Sequence, residues 1–340
     1  MNFDYQNGEN IVYALDRSGH RESYLALFNK MFSLEIVTGR VNIATAIKLI
    51  RAKSLVFATL DDHMPSFIFI VFVRSLLNKS SAALFLRSEK CFESGAWYYS
   101  YKKVIFSIIK RFRALNILTI TPFSSAPNYQ KIANLGTYDP QYWDIYNDIN
   151  QITSSRTTLS DSIKIHSNGR DICCIMGSLI SIKGLSFINN TILEYPELTK
   201  KISFIFAGRS PADDQDIIEK LKQKDVLVID RFITDLEMES VYNIADMIWC
   251  CYEPSYNQSS GIFGRAIQHR KDVIVRSNSI LSNFCENERI QGSIPIPYNN
   301  THELYKYLID YKSSPKANDL DIFREWEIDF KKNILNSIKL

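Results

Sequence analysis

Short apolar, β-rich runs recur along the chain, separated by longer stretches of helical character. In the first half they are NIVYAL (10–15), LEIVT (34–38), SLVFATL (54–60), AALFLR (82–87) and ILTITPF (117–123). In the second half they are DICCIMG (171–177), ISFIFAG (202–208), VLVID (226–230), DMIWCCY (246–252) and DVIVR (272–276). Runs of this length predict buried strands, and their alternation with helical stretches predicts parallel sheets covered on both faces. The pattern therefore predicts an α/β chain of two Rossmann-like, doubly wound domains with a ligand cleft between them.

The expected boundaries follow from the polar stretches. Residues 1–152 form the first domain, the Ser- and Thr-rich segment TSSRTTLSDSIKIHSNGR (153–170) reads as a connector or as a helix followed by a loop, and 171–318 form the second domain. In the last stretch, 319–340, Phe323, Trp326, Phe330, Ile334 and Ile338 stand three or four apart. That spacing predicts a long amphipathic helix packed back toward the first domain.

Composition narrows the function classes. With 46% hydrophobic and 23% charged residues the chain reads as globular. The apolar run MPSFIFIVFV (64–73) ends at Arg74, well short of the roughly 20 residues that cross a bilayer. The N-terminus MNFDYQNGEN lacks the basic-then-apolar order of a secretory signal, so the expected location is the cytoplasm. The six cysteines include the adjacent pairs Cys173-Cys174 and Cys250-Cys251 inside apolar runs, without ligand spacing, so buried thiols are expected and no structural metal. Residues 1–150 hold 17 Lys and Arg against 12 Asp and Glu, leaving 23 against 25 for the rest. So mild an excess, with no recognition motif, points away from nucleic acid.

In sheets of this kind ligands sit beyond the carboxyl ends of the strands. None of those loops carries GxGxxG or GxxxxGK[ST], which argues against a dinucleotide dehydrogenase or a P-loop ATPase. QSSGIFGRA (258–266), after MIWCCY, is different: Ser259, Ser260 and Gly261 fall at the start of a helix, whose free amides and positive dipole end attract an anion, and Arg265 lies one turn on. The alternative is a plain serine N-cap with Arg265 in solvent.

The order of motifs from Asp171 to Leu308 resembles the donor-binding domain of GT-B glycosyltransferases of the group-1, family 4-like type. MGSLISIKG (176–184), FIFAGR (204–209), VIDRFITDLEMESVYNIADMIWCCY (228–252) and QSSGIFGRAIQHRKDVIV (258–275) follow one another as the family's segments do. The resemblance implies a sugar nucleotide as substrate and no cofactor. It implies that Lys183, Arg209, Ser259, Ser260, Gly261 and Arg265 contact the donor diphosphate, and that Arg231, Phe232 and Ile233 lie against the base. The family's two glutamates, separated by seven residues, have no counterpart: Asn257 and Arg265 stand there in one register, Gln258 and Ala266 in the other, with Glu253 four residues before Asn257. Glu253, Asn257 and Gln258 are thus the candidates for donor sugar or nucleotide contact.

The first domain would bind the acceptor. Its strand ends carry Asp16, Gly19, His20, Arg21, Asp61, Asp62, His63, Arg87 and Glu89. Gly19, Arg21 and Arg87 are read as acceptor or phosphate contacts, and Asp16, His20, Asp61, Asp62, His63 and Glu89 as candidates for a catalytic base or acceptor contact. Residues 95–116 mix aromatic and basic side chains, which suits either an ordinary core face or contact with an anionic membrane at its inner face. The resemblance implies transfer of a sugar to a glycan or lipid-linked glycan in lipopolysaccharide, capsule or other surface polysaccharide assembly. A UDP-sugar epimerase of the same build and a non-catalytic sugar-nucleotide or glycan-binding relative remain open.

Overall fold

A computed structural model describes residues 9–18, 20–60, 64–93, 97–148, 156–313 and 320–339. The chain divides into two compact units, one of residues 1–140 with 324–340, the other of 141–323.

The first unit is built on a six-stranded parallel sheet in the order β2-β1-β3-β4-β5-β6. Its strands are β1 (Asn10–Ala14), β2 (Glu35–Thr38), β3 (Ser54–Phe57), β4 (Ser81–Phe85), β5 (Leu115–Thr119) and β6 (Leu135–Gly136). β3 and β4 are buried along their whole length, as their unbroken apolar runs require between two helical layers. The terminal helix Asp321–Ile338 packs on this unit: Phe330 meets Phe28, Trp326 stacks on Tyr138, and the Ser54 hydroxyl donates to the Ile338 carbonyl at 2.8 Å.

One side chain in this unit reverses the usual order of inside and outside. Arg74, near the end of the helix Met64–Leu76, is wholly buried. Its guanidinium donates to the carbonyls of Leu49 and Ala52 at 2.9 and 2.8 Å, to the Ser81 hydroxyl at 2.8 Å, and to the Ser80 carbonyl. These acceptors lie in the last turn of the helix Ile43–Arg51, just past it, and at the start of β4, so the one fork ties three elements together.

The second unit repeats the plan with the order β12-β11-β10-β7-β8-β9, again all parallel. Its strands are β7 (Asp171–Met176), β8 (Ile202–Ala207), β9 (Leu227–Ile229), β10 (Met247–Cys250), β11 (Asp272–Arg276) and β12 (Ser293–Ile296). Residues 156–170 belong to this unit, as a helix followed by a short loop, rather than standing apart as a connector. The helix Thr158–Ser167 buries Leu159 and Ile163, and Thr157 shares a hydrogen bond with Ser240 at 2.7 Å. The six cysteines are free thiols, all buried, with Cys91 in the first unit and the other five in the second. Burial raises the Cys250 and Cys285 thiols to about 12.

Candidate functional site

The carboxyl ends of β7, β8 and β10 in the second unit carry the strongest chemistry. Gly177, just after β7, has a φ of +86°, and Gly208, after β8, has one of +151°. A Cβ on Gly208 would collide with the Gly177 carbonyl oxygen, so the two loops meet backbone to backbone. The Leu179 amide donates to the Arg209 carbonyl at 3.0 Å and joins them further.

Past Gly177 the chain makes a tight turn, Ser181–Lys183, closed by Gly184 at a φ of +82°. A Cβ on Gly184 would strike the Cys251 carbonyl, and the Trp249 indole donates to the Lys183 carbonyl at 3.0 Å. The turn is thereby fixed against the end of β10, and the Lys183 side chain folds back over Gly177. Its ammonium stands 3.4 Å from where a Gly177 Cβ would be, beside a small pocket walled by Met176, Leu179, Trp249 and Tyr252. Among the described residues Lys183 has no ion-pair partner, and burial pulls its pKa below the ordinary lysine value. A desolvated cation without a counter-ion favours an anion from outside.

The helix Gly261–Gln268 opens beside it, with Ile262 Cδ1 3.6 Å from the same Gly177 position. Ser260 is its N-cap: the hydroxyl accepts from the Phe263 amide at 3.4 Å and shares a hydrogen bond with the Tyr252 hydroxyl at 3.0 Å, and the Ser260 amide donates to the Tyr142 hydroxyl at 3.3 Å. The two glycines of GIFG have a packing reason. Cβ atoms at Gly261 and Gly264 would strike Gln141 and Tyr142, so both are bare where residues 141–142 cross the helix. Arg265, one turn on, grips Asp144 with both prongs, at 2.7 and 2.9 Å. Gln268 completes the seam, donating to the Gln141 carbonyl at 2.9 Å and accepting from the Ile145 amide at 3.0 Å.

Arg209 is exposed at the end of β8. Arg231 donates to both oxygens of Glu237, at 2.6 and 3.0 Å, and that pairing with the Thr234 backbone hydrogen bond holds the Glu237 carboxyl at about 2. Phe232 is 74% exposed, whereas Ile233 is buried. Asn257 accepts from Arg276 at 3.0 Å and from the Ile280 amide at 2.9 Å, which occupies its oxygen in holding the loop to β11. Glu253 accepts from Ser255 at 3.3 Å, while Gln258 and Ser259 are half-buried.

In the first unit Asp16 Oδ1 accepts from the Ser18 amide at 2.8 Å, the Ser18 hydroxyl at 2.6 Å and Arg21 at 3.0 Å. Ser18 chiefly holds its pKa low, so it is a loop-closing carboxylate at the entry to the helix His20–Phe32. Arg21 is the second half of that arrangement. Glu89 is buried in the turn Ser88–Cys91, and Arg87 is exposed before it. Gly19, Asp61, Asp62 and His63 lie outside the described residues, as does the His20 side chain.

Tyr142 and Asp144 are the neighbours of Ser260 and Arg265 that pattern reading missed. Each stands about 120 residues before its partner, at sequence separations of 118 for Tyr142 and Ser260 and 121 for Asp144 and Arg265. The signal was the aromatic cluster QYWD (141–144), which carries no strand or helix period.

Among solved structures the fold is that of GT-B glycosyltransferases. A glycosyltransferase from Rickettsia africae matches 98% of this chain and 94% of its own, at 11% identity and a TM-score of 0.58. The Anabaena protein HepE, solved with UDP and glucose, matches 98% and 96% at 11% identity and 0.60. WaaG, a glycosyltransferase involved in lipopolysaccharide biosynthesis, matches 95% of each chain at 12% identity and 0.50. No protein-family model and no curated protein sequence matches the chain.

Proposed function

We propose that the protein is a glycosyltransferase that moves a sugar from a nucleotide-activated donor to a glycan or lipid-linked glycan, in the assembly of a surface polysaccharide. The observation that carries this reading is the unpaired, half-buried Lys183 ammonium over Gly177, with the first turn of the Gly261–Gln268 helix beside the same glycine. Lys183 takes a donor phosphate oxygen, the amides at the helix start take another, and exposed Arg209 adds charge from the neighbouring strand end. Phe232 offers an uncovered ring to the base. The charge neutralisation is assigned to these side chains, and no metal or cofactor is called for. A HepE structure containing UDP and glucose, and WaaG's part in lipopolysaccharide biosynthesis, agree with this choice of donor and pathway.

Thermal stabilisation by UDP, GDP and CMP tests the donor site, since a ligand at 100 times its dissociation constant adds about 2.7 kcal/mol. No shift with any nucleotide would end the reading. Turnover of the stabilising sugar nucleotide, with a glycan pool and with EDTA present, then tests transfer. An isomerised sugar formed without acceptor would mark an epimerase, and binding without turnover a sugar-nucleotide-binding protein.

A further inference from the structure

The helix Met64–Leu76 is built the wrong way round for a surface helix. Its one charged residue, Arg74, is buried, while Pro65, Phe69, Phe72 and Leu76, spaced four, three and four apart, form its outward stripe. A helix in water carries polar residues on that stripe, and one apolar all round is covered on both sides. The helix Trp97–Ile109 repeats the arrangement with the same spacing: Trp97, Tyr101, Val104 and Ile108 face outward, and Phe106 and Ile109 face the core. Leu76 is 71% exposed and Trp97 81%.

The two helices lie together in the first unit. Phe67 meets Phe106 at 6.5 Å between ring centroids, and Phe72 meets Phe112, just past the second helix, edge-on at 6.0 Å. The two stripes therefore belong to one apolar face, some 20 Å long at 1.5 Å per helical residue. Scattered apolar residues on a surface need no explanation, but a contiguous face of this kind marks a contact.

Charge identifies the contact. Neither residues 64–80 nor residues 97–116 contain an aspartate or glutamate, whereas the second stretch carries Lys102, Lys103, Lys110, Arg111 and Arg113. Arg111 and Arg113 are exposed at its end, and Lys102 lies over the Tyr98 ring at 4.9 Å. Two copies paired through this face would bring cations against cations with no carboxylate to meet them. An anionic lipid surface supplies the missing charge and the apolar depth together, and Trp97, Tyr98 and Tyr101 suit the level of the headgroups.

We infer that the outward face of the helices Met64–Leu76 and Trp97–Ile109 is a docking surface for an anionic membrane, on which the protein lies without spanning it. Among the described residues no helix is long and apolar enough to cross a bilayer. This inference stands independently of the donor site, and its test involves no sugar nucleotide.

The test is flotation of the full chain with phosphatidylcholine vesicles, with and without phosphatidylglycerol. Flotation is expected only with the anionic lipid and should weaken at least about tenfold in F69S/L76S and in R111E/R113E, with melting unchanged because these side chains are exposed. Absence of flotation, or flotation indifferent to both variants, overturns the proposal. So does a concentration-dependent dimer in sedimentation that F69S/L76S dissolves, which would give the face to a second copy. If a variant fails to fold, bromolipid quenching of the unmodified chain decides: Trp97 is the exposed member of the four tryptophans, and Trp143, Trp249 and Trp326 are buried. Quenched fluorescence supports docking, and unquenched fluorescence refutes it.

Discussion

Arg265 and Asp144 form a two-pronged ion pair, 2.7 and 2.9 Å long, across a sequence separation of 121 residues. Both side chains are about three-quarters covered. Burial pushes the Asp144 carboxyl up, and Arg265 opposes the rise. In this arrangement Arg265 holds residues 141–145 onto the Gly261–Gln268 helix. A double-mutant cycle with R265A and D144A is expected to return a coupling of about 1–2 kcal/mol in urea denaturation. Additive losses would mean that the pair has no structural role.

Lys183 separates ligand chemistry from folding. K183M removes a partly buried charge that lacks a partner, so the melting temperature should stay level or rise. Affinity for the stabilising nucleotide should fall about 10- to 100-fold, the value of one hydrogen bond to a charged group at about 1.5–3 kcal/mol. Isothermal titration calorimetry measures both proteins, and equal affinities would remove Lys183 from the site.

The same lysine sets a pH dependence. Its pKa is pulled below the ordinary value by burial, and a bound phosphate favours the charged form. Affinity should therefore be level while Lys183 is protonated and weaken as pH rises through its depressed free-state value. Binding near that value should take up protons, seen as a buffer-dependent heat. K183M should lose this alkaline limb.

Arg74 predicts a large loss of stability. R74M leaves the buried carbonyls of Leu49 and Ser80 without the Arg74 donor, at about 1–3 kcal/mol each if unrelaxed, and leaves Ala52 with Lys79 at 3.3 Å. A destabilisation of at least about 3 kcal/mol in urea is expected. R74K should recover little, because one ammonium cannot reach acceptors on three elements.

Glu237 gives a stability change in acid. Its carboxyl is held at about 2, against 4.5 for a free glutamate, chiefly by Arg231 and the Thr234 amide. A depressed acid pKa contributes stability above about 4.5 that is lost as pH falls toward about 2. Carboxyl NMR should place its midpoint well below that of exposed glutamates, and E237Q should flatten the acid limb of stability.

Ten of the twelve described strands were legible because each lies in a short apolar run between stretches of helical character. β6 is two residues long, and β12 carries Pro295 at a sheet edge, where a missing amide is tolerated; neither has the signature of a central strand. Ser260 was legible as a helix start, since serine before an apolar period is a local signal. Whether its hydroxyl faces a ligand or Tyr252, and its amide a ligand or Tyr142, was not, because that depends on side chains brought from elsewhere in the fold. The GIFG glycines show the same limit: their bareness is explained by Gln141 and Tyr142, which no local pattern reveals. The inverted helix was visible as an apolar run, but the acceptors that draw Arg74 inward lie 22 to 25 residues before it and 6 or 7 after it.

The placement of the thiols makes the chain its own reporter of local opening. With every cysteine enclosed, a disulfide reagent added to the native protein finds nothing to attack until a unit breathes or unfolds. Modification of Cys91 then times the opening of the first unit, and modification of the remaining five that of the second, so peptide mapping of the alkylated chain would rank the two without any engineered label.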